Sequence, residues 1–159
     1  MIRLRFVEGT ALDSEMIELR GGTCMPFTPS HVECVSRDGK SYIGQHLDGG
    51  MQERPIGYDA PARDLILELP ATDEQTAAFY AYVEASIGEP YDWAAIVGFA
   101  LPGHHHTKFH AICSAKMILA LRTKGCEWFP SRLPLCAPAH CIDPRDLMLI
   151  LSAIVEVPH

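Results

Sequence analysis

The sequence has no hydrophobic run long enough to cross a bilayer. Its longest apolar stretches, residues 93–101 and 147–155, are about half the roughly 20 residues that a membrane-spanning helix needs. The first eight residues alternate along a strand-like pattern and lack the charged head and apolar run of a secretion signal. We therefore expect a single domain over residues 1–159, with no transmembrane segment and cytoplasmic as encoded. Export by a phage or another route stays open.

The sequence also lacks an excess of basic residues. It has 13 lysines and arginines against 20 acidic residues, a formal net charge of −7. Proteins that bind nucleic acid or anionic lipid use clusters of positive charge, which this composition does not offer. We expect no nucleic-acid partner, and the acidic balance otherwise says little about the substrate.

No two cysteines have the Cys-x-x-Cys spacing that is typical of zinc and redox sites. Without a secretion signal, the thiols are expected to be mostly reduced. We expect neither a metal nor a cofactor. The six cysteines are Cys24, Cys34, Cys113, Cys126, Cys136 and Cys141.

The hydrophobic pattern predicts an α+β fold. Alternation of apolar and polar residues predicts strands at residues 2–7, 30–36, 41–47 and 63–69, with an Asp-Gly hairpin turn at residues 38–39. A capping box at residues 72–75 begins a helix that ends at Gly88. Further helices are predicted at residues 12–20, 92–100 and 112–121. Asp143 and Pro144 are typical of a helix start, and the apolar tail at residues 148–157 is interpreted as a last strand.

Cys113 lies in the first turn of the predicted helix at residues 112–121. Unpaired N–H groups and the helix dipole favour a thiolate at this position, so Cys113 can be a nucleophile if a base is near. A free cysteine is also commonly a small buried hydrophobic residue, and position alone does not decide between the two. The other five cysteines have no comparable setting.

Eight histidines compete for the role of the base. His31 and His46 lie on the two strands of the Asp-Gly hairpin, where they can form a cross-strand pair. His110 precedes Cys113 by three residues and could also reach it. The cluster His104–His106 lies in a Pro-Gly loop and is expected to be solvated; with His110 it leaves a metal-binding protein open as an alternative.

Several segments occur in an order that resembles the permuted NlpC/P60 papain-like group, which includes YiiX-type and lecithin–retinol-acyltransferase-like proteins. The match runs from about Thr28 to Leu147. Ala115 replaces the usual acidic residue after Cys-Ser, and Asp143 replaces a serine but keeps its capping role. The segments are Thr28-Pro29-Ser30-His31-Val32-Glu33, the Asp-Gly hairpin, Asp48-Gly49-Gly50-Met51, Tyr91-Asp92-Trp93, Cys113-Ser114-Ala115-Lys116 and Asp143-Pro144-Arg145-Asp146-Leu147.

The resemblance implies a permuted papain-like fold, with an antiparallel sheet packed against helices and the cysteine helix at the core. It implies Cys113 as the nucleophile, His31 as the general base and His46 as the third polar residue. Gln45 would replace His46 if the strand register were shifted by one, since neighbouring residues of a strand face opposite ways. Glu33 shares the face of His31 and is a rival orienting residue; otherwise it is a solvated carboxylate.

The expected function is that of a bacterial or phage cysteine hydrolase of the amidase or peptidase type. By resemblance, its substrate is a small peptide or lipid-like molecule, and the bonds it cleaves are amide or ester bonds such as those of cell-wall peptides. One alternative is a lipid acyl hydrolase or acyltransferase like the lecithin–retinol group. Another is a non-catalytic binding module that keeps the fold with Cys113 idle.

Overall fold

A computed structural model describes residues 1–9, 27–90, 113–129 and 138–156. The predicted helices at residues 12–20 and 92–100 lie outside these ranges, as do Cys24, Cys136 and His104–His106. His110 lies outside them too. The description that follows concerns the four ranges alone.

The described residues form a mixed α+β fold around one antiparallel sheet, as the sequence predicts. Five strands occur in the spatial order β4-β3-β2-β1-β5, so β4 and β5 are the edge strands and β1, β2 and β3 lie inside the sheet. Every neighbouring pair is antiparallel. The strands are β1 (Ile2–Glu8), β2 (His31–Val35), β3 (Ser41–His46), β4 (Gly50–Pro55) and β5 (Arg63–Leu69).

Four of these strands agree with the sequence prediction, and the Asp38-Gly39 turn joins β2 to β3 as expected. Gly39 has a φ of +72°, a left-handed conformation that glycine adopts without strain. Strand β4 was missed because its polar half looked like a connecting segment. One feature of β1 goes beyond the alternating pattern: Arg5 is buried, because β1 lies between two strands and its polar face is covered.

Three helices lie in the described ranges: α1 (Asp73–Ala85), α2 (Cys113–Arg122) and α3 (Pro144–Glu156). The capping box of α1 forms as predicted, since Thr72 accepts from the N–H of Gln75 and the Gln75 side chain accepts from Thr72. Helix α2 is the most enclosed of the three, with eight of its ten residues buried.

The C-terminal tail is helical, so the predicted strand at residues 148–157 is wrong. Asp143 accepts the N–H of Asp146 at 2.7 Å, which caps the helix that Pro144 begins. Leu147 and Leu151 are four residues apart and both fully buried, which is the spacing of one helix face. The strand prediction gave weight to the apolar run and overlooked this spacing.

The core lies between the sheet and the helices, where residues such as Phe6, Phe79 and Met117 are inaccessible to solvent. The longest helices in the described ranges have 13 residues. None of the described helices combines the length and the apolar character that crossing a membrane requires.

Candidate active site

Cys113 is the first residue of α2, and its thiol is buried against the sheet. The sulfur lies near the backbone N–H groups of Val32 and Ser114, both of which favour a negative charge there. The helix is held in place from the other side, because the Ser114 hydroxyl donates to the carbonyl oxygen of Ile142 at 2.7 Å. The first turn of α2 therefore presents a thiol at a fixed position beside β2.

The side chains of His31 and Cys113 lie close enough to interact electrostatically. Nε2 of His31 faces Oε2 of Glu33, which leaves Nδ1 as the nitrogen available to the thiol. Burial alone would raise the pKa of Cys113, but the nearby His31 and the two N–H groups lower it below its ordinary value. Burial would lower the pKa of His31, but Cys113 and Glu33 together raise it. Both shifts favour a thiolate–imidazolium pair.

A buried carboxylate lies behind the His31 ring. Oε2 of Glu33 is 3.6 Å from Nε2 of His31, and the Glu33 side chain has no exposed surface. Its other oxygen accepts from Nη1 of Arg5 at 2.7 Å, and Oε2 accepts from the Tyr58 hydroxyl at 3.0 Å. Burial would raise the pKa of Glu33, but His31 and Arg5 lower it, so the carboxylate is charged. The alternative interpretation of Glu33, as a solvated carboxylate, is wrong.

Arg5 connects Glu33 to a wider set of charges. It lies directly opposite Glu33 in the pairing of β1 with β2. Its guanidinium also donates to Asp64 at 2.8 Å and to Asp59 at 3.1 Å, and it stacks over the Tyr42 ring at 4.3 Å. The two aspartates balance the arginine, which leaves the charge of Glu33 available to His31.

His46 lies beside His31, at the cross-strand position that the hairpin register predicts. The two ring centroids are 5.0 Å apart, and Nε2 of His46 is 3.7 Å from Oε2 of Glu33. Burial, the positive charge of His31 and that of Arg54 lower the pKa of His46 to about 4, against the opposing effect of Glu33 and Asp48. His46 is therefore neutral near pH 7 and packs against His31 without a charge.

Gln45 lies away from this group. Its side chain leaves the opposite face of β3 and donates to the carbonyl oxygen of Pro90 at 2.8 Å. The structure thus brings Cys113, His31, His46 and Glu33 together and does not bring Gln45 to them. Of the residues that could orient His31, Glu33 carries the charge and His46 is neutral.

Within the described ranges, one group of histidine, cysteine and acidic side chains has ligand atoms close enough to hold a metal ion. It comprises His31, Glu33 and His46, whose candidate ligand atoms all lie within 4.8 Å of one another. The expectation that the chain binds no metal did not consider this group.

The other described cysteines have no such setting. Cys34, Cys126 and Cys141 are free, and Cys141 alone is exposed. Burial raises the pKa of Cys34, and burial raises the pKa of Cys126 to about 11. Both are therefore protonated at neutral pH, in keeping with the expectation that they are not nucleophiles.

Two residues of the site were missed in the sequence, Arg5 and Tyr58. Arg5 was noted only as a member of an alternating strand, and Tyr58 follows β4 in a turn. Its ring packs edge-on against His46 at 5.4 Å. A basic residue among the apolar residues of a strand was the available signal for Arg5, whereas Tyr58 had none.

Comparison with known proteins gives no further information, since no family model, curated protein or solved structure matches the chain.

Proposed function

We propose that the chain is a cysteine hydrolase of amide or ester bonds, with Cys113 as nucleophile and His31 as general base. The observation that carries the proposal is the buried thiol of Cys113 at the start of α2, with the His31 imidazole near enough to lower its pKa. The order of its motifs further suggests the permuted papain-like fold of the NlpC/P60 group. By that resemblance, the substrates are peptides such as those of cell walls.

The chemistry follows from the positions of the side chains. His31 takes the proton of Cys113 at Nδ1, and the thiolate attacks the carbonyl carbon of the substrate. The backbone N–H of Cys113 stabilises the resulting oxyanion, an effect worth roughly 10²–10³ in rate per donor. The bond to the leaving group breaks as His31 gives its proton to the leaving nitrogen or oxygen. Water then hydrolyses the thioester, with His31 accepting a proton that returns to Cys113.

Glu33 and His46 act through His31. A positive imidazolium is stabilised by the Glu33 carboxylate 3.6 Å from its Nε2. The neutral ring of His46 packs beside it without adding a competing charge. Together they hold one orientation of His31, in which Nδ1 serves the thiol.

Thiol labelling tests the proposal directly, because Cys141 provides an exposed reference in the same molecule. The protein is treated with chloroacetamide in the presence of EDTA, and both cysteines are followed by peptide mass spectrometry. At pH 6 Cys113 is expected to react faster than Cys141 although it is only 4% exposed. His31→Ala should slow Cys113 at least about tenfold and leave Cys141 unchanged. Equal rates for Cys113 and a free model thiol would overturn the thiolate–imidazolium pair.

Turnover is tested with two substrates, a peptide with a γ-D-glutamyl bond and an activated acyl ester. If either substrate is hydrolysed by the wild type and not by Cys113→Ala, the result supports the hydrolase. The relative rates for the peptide and the ester then separate a peptidase from an acyl hydrolase. A reactive Cys113 without turnover of any amide or ester would favour the non-catalytic binding module instead.

A further inference from the structure

Two buried imidazole nitrogens converge on one carboxylate oxygen. Nε2 of His31 and Nε2 of His46 lie 3.6 Å and 3.7 Å from Oε2 of Glu33. Both nitrogens are buried and have no hydrogen-bond partner within the part of the chain that the structure describes. The separations exceed the usual 2.7–3.2 Å of an N–H···O hydrogen bond, and unsatisfied buried polar atoms are rare in folded proteins. Both ring nitrogens can therefore take a further bonding partner close to Oε2 of Glu33.

The spacing suits a transition-metal ion. Zinc binds histidine nitrogen and carboxylate oxygen at about 2.0–2.2 Å, so neighbouring ligand atoms of a tetrahedral site lie about 3.3 Å apart. The two nitrogen–oxygen separations are a few tenths of an ångström longer than this, and all three candidate atoms lie within 4.8 Å. Small side-chain movements bring the three atoms into a zinc-binding arrangement. Two histidines and one carboxylate are also a common protein ligand set for zinc.

The surroundings support a bound cation at this point. The Tyr58 hydroxyl and Arg5 hold the Glu33 carboxylate in place, as the outer partners of metal ligands commonly do. Among the described residues, Arg54 lies close enough to His46 to lower its pKa. Arg5 contacts the other oxygen of Glu33. Asp59 and Asp64 balance its charge.

We propose that His31, Glu33 and His46 form a binding site for a divalent transition-metal ion, with Zn²⁺ the best fit, whose occupation switches off the chemistry of Cys113. The binding site stands on the geometry alone, whereas the switch rests on the proposed function. On binding, the ion exchanges water ligands for the three side chains and displaces any proton from Nε2 of His31 into solvent. The ring then keeps its remaining proton on Nδ1, so it has no free nitrogen to accept one.

Metal binding is tested by titrating the full chain with Zn²⁺ in a calorimeter, before and after His46→Ala. His46→Ala should lose one equivalent or bind it at least about 100-fold more weakly, because a direct ligand contributes more than the 10–100-fold of an outer partner. Cys113→Ala keeps all three ligands and should retain the equivalent, whereas Tyr58→Phe removes an outer partner of Glu33 and should weaken it by no more than the 10–100-fold of such a partner. Identical titrations of wild type and His46→Ala would overturn the site, as would its loss in Cys113→Ala.

Cobalt in the wild-type protein provides a measurement that does not depend on the folding of a variant. Co²⁺ at this site should give visible d–d bands without a thiolate-to-metal charge-transfer band, since the three ligands contain no sulfur. A strong charge-transfer band from that equivalent would place the metal on a cysteine and overturn the assignment.

The switch is tested with p-nitrophenyl acetate, taking Cys113→Ala as the blank for hydrolysis by free metal. Zn²⁺ should reduce turnover by the wild type at least about tenfold, because water attack on the thioester needs His31 as a base. EDTA should restore it. If Zn²⁺ binds without inhibiting turnover, the switch is overturned but the metal site stands. If there is no turnover even before Zn²⁺ is added, the result counts against the proposed function, and calorimetry still decides the metal site.

Discussion

Gly44 lies directly opposite Glu33 in the pairing of β2 with β3, and a methyl group at position 44 would lie 2.7 Å from Cβ of Glu33. Carbon atoms do not approach each other that closely without moving. The absence of a side chain at Gly44 is therefore what allows the carboxylate to lie behind His31. A glycine in the middle of a strand usually weakens the strand, but here it leaves the space that the Glu33 side chain occupies.

Gly44→Ala should damage both the fold and the site. We expect a loss of about 1–3 kcal/mol in the free energy of unfolding, measured by urea denaturation, and slower chloroacetamide labelling of Cys113. Gly57→Ala is the matched control, since Gly57 has a φ of +84° but a methyl group added there would meet no described atom within 4 Å. That control should cost stability through backbone strain and leave Cys113 labelling unchanged. Normal labelling in Gly44→Ala would show that Glu33 does not need its present position.

Glu33→Gln should shift the pH profile of Cys113 labelling to higher pH. Glu33 raises the pKa of His31, so its removal makes His31 a weaker partner for the thiolate, and a higher pH is needed for the same thiolate fraction. The variant should lose about 3 kcal/mol or less of unfolding free energy, because Arg5 keeps Asp59 and Asp64 as partners. Tyr58→Phe removes a hydrogen bond to the same carboxylate but no charge, so its profile should move much less. Equal shifts of the pH profile in Glu33→Gln and Tyr58→Phe would argue against an electrostatic role of Glu33.

His46 should make the protein less stable as the pH falls below neutral. Its pKa is about 4 in the folded chain against an ordinary value of 6.5, so between these values the unfolded chain binds the proton and the folded chain does not. The free energy of unfolding should therefore fall by about 2 kcal/mol between pH 7 and pH 5 on account of this residue. Urea denaturation of wild type and His46→Gln at both pH values isolates the effect. Parallel slopes for the two proteins would mean that His46 titrates normally.

Ser114→Ala should loosen the attachment of α2. Ser114 is fully buried, and its hydroxyl donates to the Ile142 carbonyl, which would be left without this partner. A loss of about 1–3 kcal/mol in unfolding free energy is expected. Ser86→Ala is the control, because its hydroxyl donates to the Tyr82 carbonyl, which also accepts the backbone N–H of Ser86. A cost in Ser114→Ala no larger than that of the control would show that the hydroxyl does not secure the helix.

Local features of the sequence predicted most of the described fold. The Asp38-Gly39 turn sets the register of β2 and β3, and that register places His46 beside His31. The helix start at Cys113 followed from the apolar spacing after it. The last helix was misread because a run of large apolar residues satisfies a strand and a helix at once, and only the capping Asp143 and the four-residue spacing of Leu147 and Leu151 distinguished them.

The rest of the site depends on contacts between distant segments, which local pattern does not contain. Arg5 meets Glu33 because β1 inserts between β2 and β5, a choice of strand order that alternation within β1 cannot specify. A solvated Glu33 stayed open as an alternative in the sequence because the Arg5 charge that compensates its burial lies 28 positions away. Tyr58 reaches the carboxylate only through the path of the chain after β4.

His31, Glu33 and His46 belong to one short hairpin, whereas Cys113 follows His31 by 82 residues. During synthesis the hairpin leaves the ribosome first, and the thiol acquires its partner only when α2 docks. The nascent chain therefore carries an unactivated cysteine, and under the proposed function Cys113 does not attack amide or ester bonds before folding is complete. Rapid labelling of Cys113 would then count correctly folded molecules in a mixed preparation.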